Sequence, residues 1–228
     1  MTKTAAPMTS GSIWKQMTFF AMPIFLGNLF QQLYNTVDSL IVGNFLGSSA
    51  LAAVSSSGSL IFMLIGFLSG ISAGAGVIVA RFFGAGDEKN LQRAVHTTVA
   101  FGLVAGVLMT GVGVALSPQI LRWMDTPESV MRESVTYLQI YFAGSLGFVM
   151  YNVLVGILQA VGDSRHPLYY LIVSSVINLV LDLLFITGFH TGVGGAAVAT
   201  VISQIVSALL CFWSAAADKE SYGLKIRK

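Results

Sequence analysis

The sequence predicts an all-α membrane protein with six transmembrane helices and both termini on the cytoplasmic side. Three observations carry this. Of 228 residues, 55% are hydrophobic and only 10% charged, with a mean hydropathy of +0.78. A soluble domain needs about a quarter charged residues to cover its surface, so the solvent here is lipid. Charges and helix breakers divide the chain into six apolar segments, each long enough for the roughly 20 residues of a spanning helix. Loop charge then sets orientation: Lys3, Lys15, Arg81, Lys89, Arg93, Arg165, Lys219, Lys225, Arg227 and Lys228 fall on one side, and Arg122 and Arg132 on the other. By the positive-inside rule the first side is cytoplasmic.

Residues 1–15 form a cytoplasmic N-terminal segment with no apolar core or cleavage pattern, so they are not read as a signal peptide. The transmembrane unit covers 16–217. Its first span, 16–45, exceeds the minimum by about ten residues, which predicts tilt or a bend, and Pro23 supplies the bend by removing a backbone donor. Span 56–80 carries Gly66, Gly70 and Gly74, and span 94–117 carries Gly102 and Gly106; such spacing lets helix backbones approach closely. The outer connection 118–133 contains Ile120-Leu121-Arg122-Trp123-Met124, expected as a short helix lying at the interface. Span 134–160 carries Tyr137 and Tyr141 near its outer end, where interfacial anchoring is the first expectation and a contact to the cavity the second. Spans 168–189 and 193–217 complete the set. Residues 218–228 are a basic cytoplasmic tail.

Several chemistries are excluded or unsupported. A net charge of +2 offers no footprint for nucleic acid. The single cysteine, Cys211, excludes an internal disulfide and reads as a packing residue. Gly192, Gly194, Gly195 and Ala197 mimic part of a dinucleotide fingerprint, but no strand precedes them. His96, His166 and His190 cluster with no carboxylates. No nucleophile, base and orienting group fall together, and no phosphate-cradling loop is present, so the chain is not read as an enzyme or as ATP-driven.

Two carboxylates stand out against this background. Asp38 is the only charged residue between Lys15 and Arg81, and Asp182 the only one between Arg165 and Asp218. An ionisable group at membrane depth costs several kcal/mol and usually marks an ion, proton or substrate pathway. Asn28, Gln31, Asn35 and Asp38 recur at spacings of three and four, so they share one helix face. That face must line a cavity or a helix interface rather than lipid. A purely structural seam needs only amides and hydroxyls; Asp38 turns the reading toward function. Asn178 and Asp182 lie one turn apart, as do Thr200 and Gln204. Asp38, Asn178, Asp182 and Thr200 would together offer oxygen ligands alone, suited to a hard cation. Two adjacent carboxylates in low dielectric are equally the condition for a proton-carrying pair, and the sequence leaves both readings open.

At these residues the chain resembles the multidrug and toxic compound extrusion (MATE) transporters. The resemblance rests on Pro23-Ile24-Phe25-Leu26-Gly27-Asn28 running to Leu33-Tyr34-Asn35-Thr36-Val37-Asp38, on Ala80-Arg81-Phe82-Phe83-Gly84-Ala85-Gly86, and on Gln159 through Pro167. The Asn178/Asp182 pair and Thr200 also match, in order and spacing, cation-site positions of that family's N-terminal lobe. The resemblance implies a secondary active exporter that antiports small organic, often cationic, compounds against H+ or Na+. Asp38 would be its coupling carboxylate, with Asn178, Asp182 and Thr200 completing the site. It implies no cofactor beyond the coupling ion, and a multi-pass location in a cell membrane, the bacterial inner membrane. The family has two six-helix lobes and this sequence matches the first, so a second lobe, as another chain or a second copy, is the expected partner besides the lipid bilayer. Two alternatives stay open: a lipid-linked precursor flippase, which would favour basic residues in the cavity, and an inactive lobe or assembly subunit without transport of its own.

Overall fold

The computed structural model describes residues 12–217, and every regular element among them is helical. The basic tail and all but the last few residues of the N-terminal segment lie outside them. The order is α1 (Ile13–Leu46), α2 (Ser48–Gly84), α3 (Glu88–Trp123), α4 (Glu128–Ala143), α5 (Ser145–Ala160), α6 (Arg165–Leu183), a π-helical turn (Leu184–Gly188) and α7 (Val193–Ala217). Four helices are long and apolar enough to cross a membrane: α2, α3, α6 with its π turn, and α7. Joined across their break, α4 and α5 make a fifth. The expected sixth, α1, has ample length at 34 residues, but its amide and carboxylate stripe lowers its apolarity.

Two expectations need correction. The span expected over 134–160 is two helices that meet at a 51° bend around Gly144. A Cβ at Gly144 would fall 2.4 Å from the Val201 side chain, so the bend sits where α7 presses closest. The interfacial helix expected at Ile120–Met124 does not exist separately, because α3 runs straight through to Trp123. It does so despite Pro118, which leaves the Val114 carbonyl without its helical donor. Gln139 of α4 supplies the replacement, donating from Nε2 to Val114 O at 3.3 Å. Leu121 is thereby carried into a buried cluster with Leu138 and Phe142. Pro23, where a bend was expected, lies inside the continuous helix α1.

Short, well-satisfied corners join the helices. Gly47 alone separates α1 from α2, at a φ of 90° that other residues adopt only with strain. Asp87 caps α3: its carboxylate accepts from the Asn90 backbone N–H at 3.1 Å and from the Asn90 side chain at 2.7 Å. These bonds hold its carboxyl below the usual carboxylate range.

The core is organised by α5, which packs against α2, α3 and α7. Phe148, Val149, Val153, Leu154, Ile157 and Leu158 of α5 bury against Leu68 and Val79 of α2, Leu91 and Val95 of α3, and Cys211 of α7. Cys211 is thus the packing residue its surroundings suggested. By contrast α1 lies at the edge, against α6 and α2, with only Ile41 and Val42 buried along its length.

Candidate functional site

The site forms where the edge helix meets the buried ends of α6 and α7. Asp182 and Asn178, one turn apart on α6, are both fully buried, and α1 brings Asp38 and Tyr34 across to them. Asn178 is the hub. Its Nδ2 donates to Asp182 Oδ2 at 2.7 Å, and its Oδ1 accepts from the Thr200 backbone N–H at 3.1 Å and from the Tyr34 hydroxyl at 3.3 Å. Asp38 and Asp182 line one small cavity between α1 and α6, together with Tyr34 and Asn178. The two aspartates each keep one oxygen, Oδ1, that is buried and has no partner among the described residues.

All four residues expected to form a cation site therefore converge from three helices. Their chemistry is specific. Two carboxylates lie among amide and hydroxyl dipoles, and one oxygen of each has no partner among the described residues. A buried carboxylate left without a partner is strongly unfavourable. Burial of this kind disfavours two free negative charges, so protonation of a carboxyl or a cation held through oxygen would relieve it.

Beside this cluster lies a cavity of about 760 Å³, within the size range of small-molecule sites. One wall is the α1 stripe, where Asn28, Gln31, Asn35 and Asp38 all line the same space, as does Pro23. Gln31 Nε2 donates to Asn35 Oδ1 at 3.5 Å. The facing wall holds Tyr137, Tyr141, Phe148 and Tyr151, with Thr200 and Gln204 of α7. Tyr137 and Tyr141 stack at 6.5 Å with 22° between their planes and are 5% and 7% exposed. They face the cavity, so the anchoring role expected first for them gives way to the second. Among the described residues, no lysine, arginine or histidine lines the cavity.

Two features escaped sequence reasoning. Tyr34 joins the Asn178 hub and stands with Asp38 in the wall shared by the large cavity and a smaller, apolar one of about 190 Å³ between α1 and α6. The signal was present, since Tyr34 is three residues after Gln31 and four before Asp38. The second feature is the π-helical turn that begins two residues after Asp182. Such turns are rare and concentrate at functional sites, and nothing in Leu184–Gly188 announces one.

Comparison with known proteins places this geometry in context. The family model described as MatE matches residues 23–184. Among curated relatives, "Probable multidrug resistance protein YoeA" of Bacillus subtilis is 38% identical over 203 residues, covering 87% of this chain and 44% of that protein. Among solved structures, a MATE protein in the bent conformation is 28% identical with a TM-score of 0.86, covering 93% of this chain and 47% of that one. A transporter of the MOP superfamily from Pyrococcus furiosus is 27% identical with a TM-score of 0.90, covering all of this chain and 50% of that one. The chain spans about half the length of the relatives it matches.

Proposed function

The chain belongs to the MATE family, and on that premise we propose that it is one lobe of a secondary active exporter, antiporting small organic compounds, often cationic, against H+ or Na+. The observation that carries the reading is the convergence of Asp38 and Asp182, each with an oxygen that has no partner among the described residues, at the edge of a cavity that none of those residues lines with a base. A proton or a bound cation would relieve the cost of holding both carboxylates there. Asp38 stands between the ion cluster and the cavity, so ion occupancy and substrate occupancy act on the same side chain. Asn178, Thr200 and Tyr34 hold Asp182 and α1 in register for the exchange.

In this reading α1 also crosses the membrane. Its polar face is turned to the cavity and its exposed apolar residues, such as Phe25, Leu33 and Leu40, meet lipid. That completes six spans, with both termini cytoplasmic and the whole in the inner membrane of a bacterium. The cavity is walled by this lobe on one side, and a second six-helix lobe supplies the other. A lipid-linked precursor flippase is less well supported, because anionic headgroups call for cavity bases.

The test replaces Asp38 by Asn, which keeps size and hydrogen bonding and removes the titratable charge. Expressed with a second lobe, Asp38→Asn should abolish drug efflux and ion-coupled uptake into vesicles, with membrane insertion unchanged. Asp182→Asn should alter the cation dependence. Ser174→Ala, one turn from Asn178, should leave transport near normal, because the Ser174 hydroxyl donates only to Leu171 O within its own helix. Undiminished efflux by Asp38→Asn would sink the proposal.

A further inference from the structure

On α3, basic and apolar residues share one stripe that faces away from the rest of the lobe. Leu91, Val95, Gly102 and Gly106 are buried. Round the far side of the helix, Lys89, Arg93 and His96 follow at spacings of four and three, and Leu103, Val104 and Val107 continue the same face. All six are exposed, the three apolar ones by 45%, 61% and 60%. Depth agrees with direction. No lysine, arginine or carboxylate lies between Arg93 and Arg122, and at 1.5 Å per residue the two stand about 44 Å apart along one unbroken helix. A bilayer with its headgroups is about 40–45 Å thick, so Arg93 reaches phosphate level in one leaflet as Arg122 does in the other. Neither Lys89 nor Arg93 is ion-paired among the described residues, where the one pair is His166 with Asp163. Of the neighbouring acids, Asp87 engages both carboxylate oxygens with Asn90, and Glu88 lies about 100° round the helix from Lys89.

We propose that Lys89 and Arg93 form a headgroup site for an anionic phospholipid in the leaflet where α3 begins, with the acyl chains lying along Leu103, Val104 and Val107. Basic side chains at the membrane surface attract anionic lipid, and an arginine meets a phosphodiester with paired N–H donors. Phosphatidylglycerol brings one uncompensated negative charge. Phosphatidylcholine carries the same phosphate beside a trimethylammonium group, which the two basic residues repel. The site therefore sorts lipids by net headgroup charge. Arg122, at the other end of the same face, has no second base beside it and is followed by Asp125 and Glu128. The inference goes beyond the exporter reading, because it uses the outward surface of α3 and requires only that this helix span the bilayer.

The test is native mass spectrometry of the full chain released from detergent micelles that contain dioleoylphosphatidylglycerol or dioleoylphosphatidylcholine, which share their acyl chains. Wild-type protein should hold the anionic lipid about thirtyfold more tightly, about fivefold for each basic residue. The preference should shrink as the ammonium acetate concentration rises. Lys89→Gln/Arg93→Gln should bring the two lipids close to equal affinity, and Arg93→Gln alone should leave a preference of about fivefold. Lys89→Arg/Arg93→Lys, which keeps both charges, should retain the full preference, and Arg122→Gln should not change it. Helical circular dichroism checks that each variant is folded. Equal retention of the two lipids by wild type, or an unchanged preference in Lys89→Gln/Arg93→Gln, overturns the inference. So does an equal loss in Arg122→Gln, since the effect would then be one of overall charge. None of these results bears on the transport reading, which stands or falls with Asp38→Asn.

Discussion

Gly66, Gly70 and Gly74 stand one turn apart on α2, and a Cβ built on any of them would meet nothing within 4 Å. Gly102 and Gly106 repeat that spacing on α3, where a Cβ would fall 3.0 Å from Val153 and 2.6 Å from Leu146 of α5. Farther along α3, Gly113 would drive a Cβ to 2.1 Å from the Phe142 ring. The same sequence signal thus describes a helix face pressed against a neighbour and a helix face left bare. Small residues at this spacing make a smooth surface that permits close approach. Whether a partner lies on it depends on topology. In this lobe α5 occupies the α3 surface, while the α2 surface looks outward beside Phe62 and Phe67, which are 77% and 67% exposed. If the second lobe assembles as proposed, α2 is positioned to meet it or the surrounding lipid.

The contrast can be broken most sharply at Gly106. Its Cβ would lie 3.0 Å from the Leu146 backbone as well as against the side chain, so α5 must shift to admit it. Overpacking of this kind costs about 1–3 kcal/mol, and alanine's better helix propensity returns up to ~1 kcal/mol. Gly106→Ala should therefore lower stability by about 1–2 kcal/mol, read as a shifted midpoint in detergent-unfolding titrations. A variant as stable as wild type would show that α3 and α5 are not in the contact described.

A smaller loss is expected at Gln139. Replacement by leucine keeps the bulk and removes the donor to Val114 O, restoring the defect that Pro118 creates. The expected cost is about 1 kcal/mol, that of an unmade hydrogen bond, with faster amide exchange at the C-terminal end of α3. The double variant Gln139→Leu/Pro118→Ala should recover the loss, because alanine supplies the missing backbone donor. Failure to recover it would assign Gln139 a role other than repair of the proline.

The smallest effect is predicted on α2. Gly70→Ala should change the stability of the isolated chain by no more than ~0.5 kcal/mol, or raise it slightly through helix propensity. Loss comparable to Gly106→Ala would mean that the α2 face is already covered within this chain. If the isolated chain is unaffected but co-purification with a second lobe falls, the bare face belongs to the interface between lobes.

Much of the molecule was legible before any coordinates. The apolar composition pointed to a membrane protein, and the lone carboxylates Asp38 and Asp182 marked the place where polar side chains gather, because an unpaired charge in lipid is too costly to occur without compensation. Helical spacing alone put Asn28, Gln31, Asn35 and Asp38 on one face, and all four line one cavity. These properties are local or compositional, so the chain determines them residue by residue. The tertiary structure decided what depends on contact between distant segments. It broke the fourth span at Gly144, where α7 packs closest, and carried α3 through Pro118 with a donor borrowed from α4. It turned Tyr137 and Tyr141 inward and recruited Tyr34 to the Asn178 hub. It also filled one glycine face and left the other open. Helix periodicity specifies which residues share a face, but which face meets which neighbour is set by packing across the whole lobe.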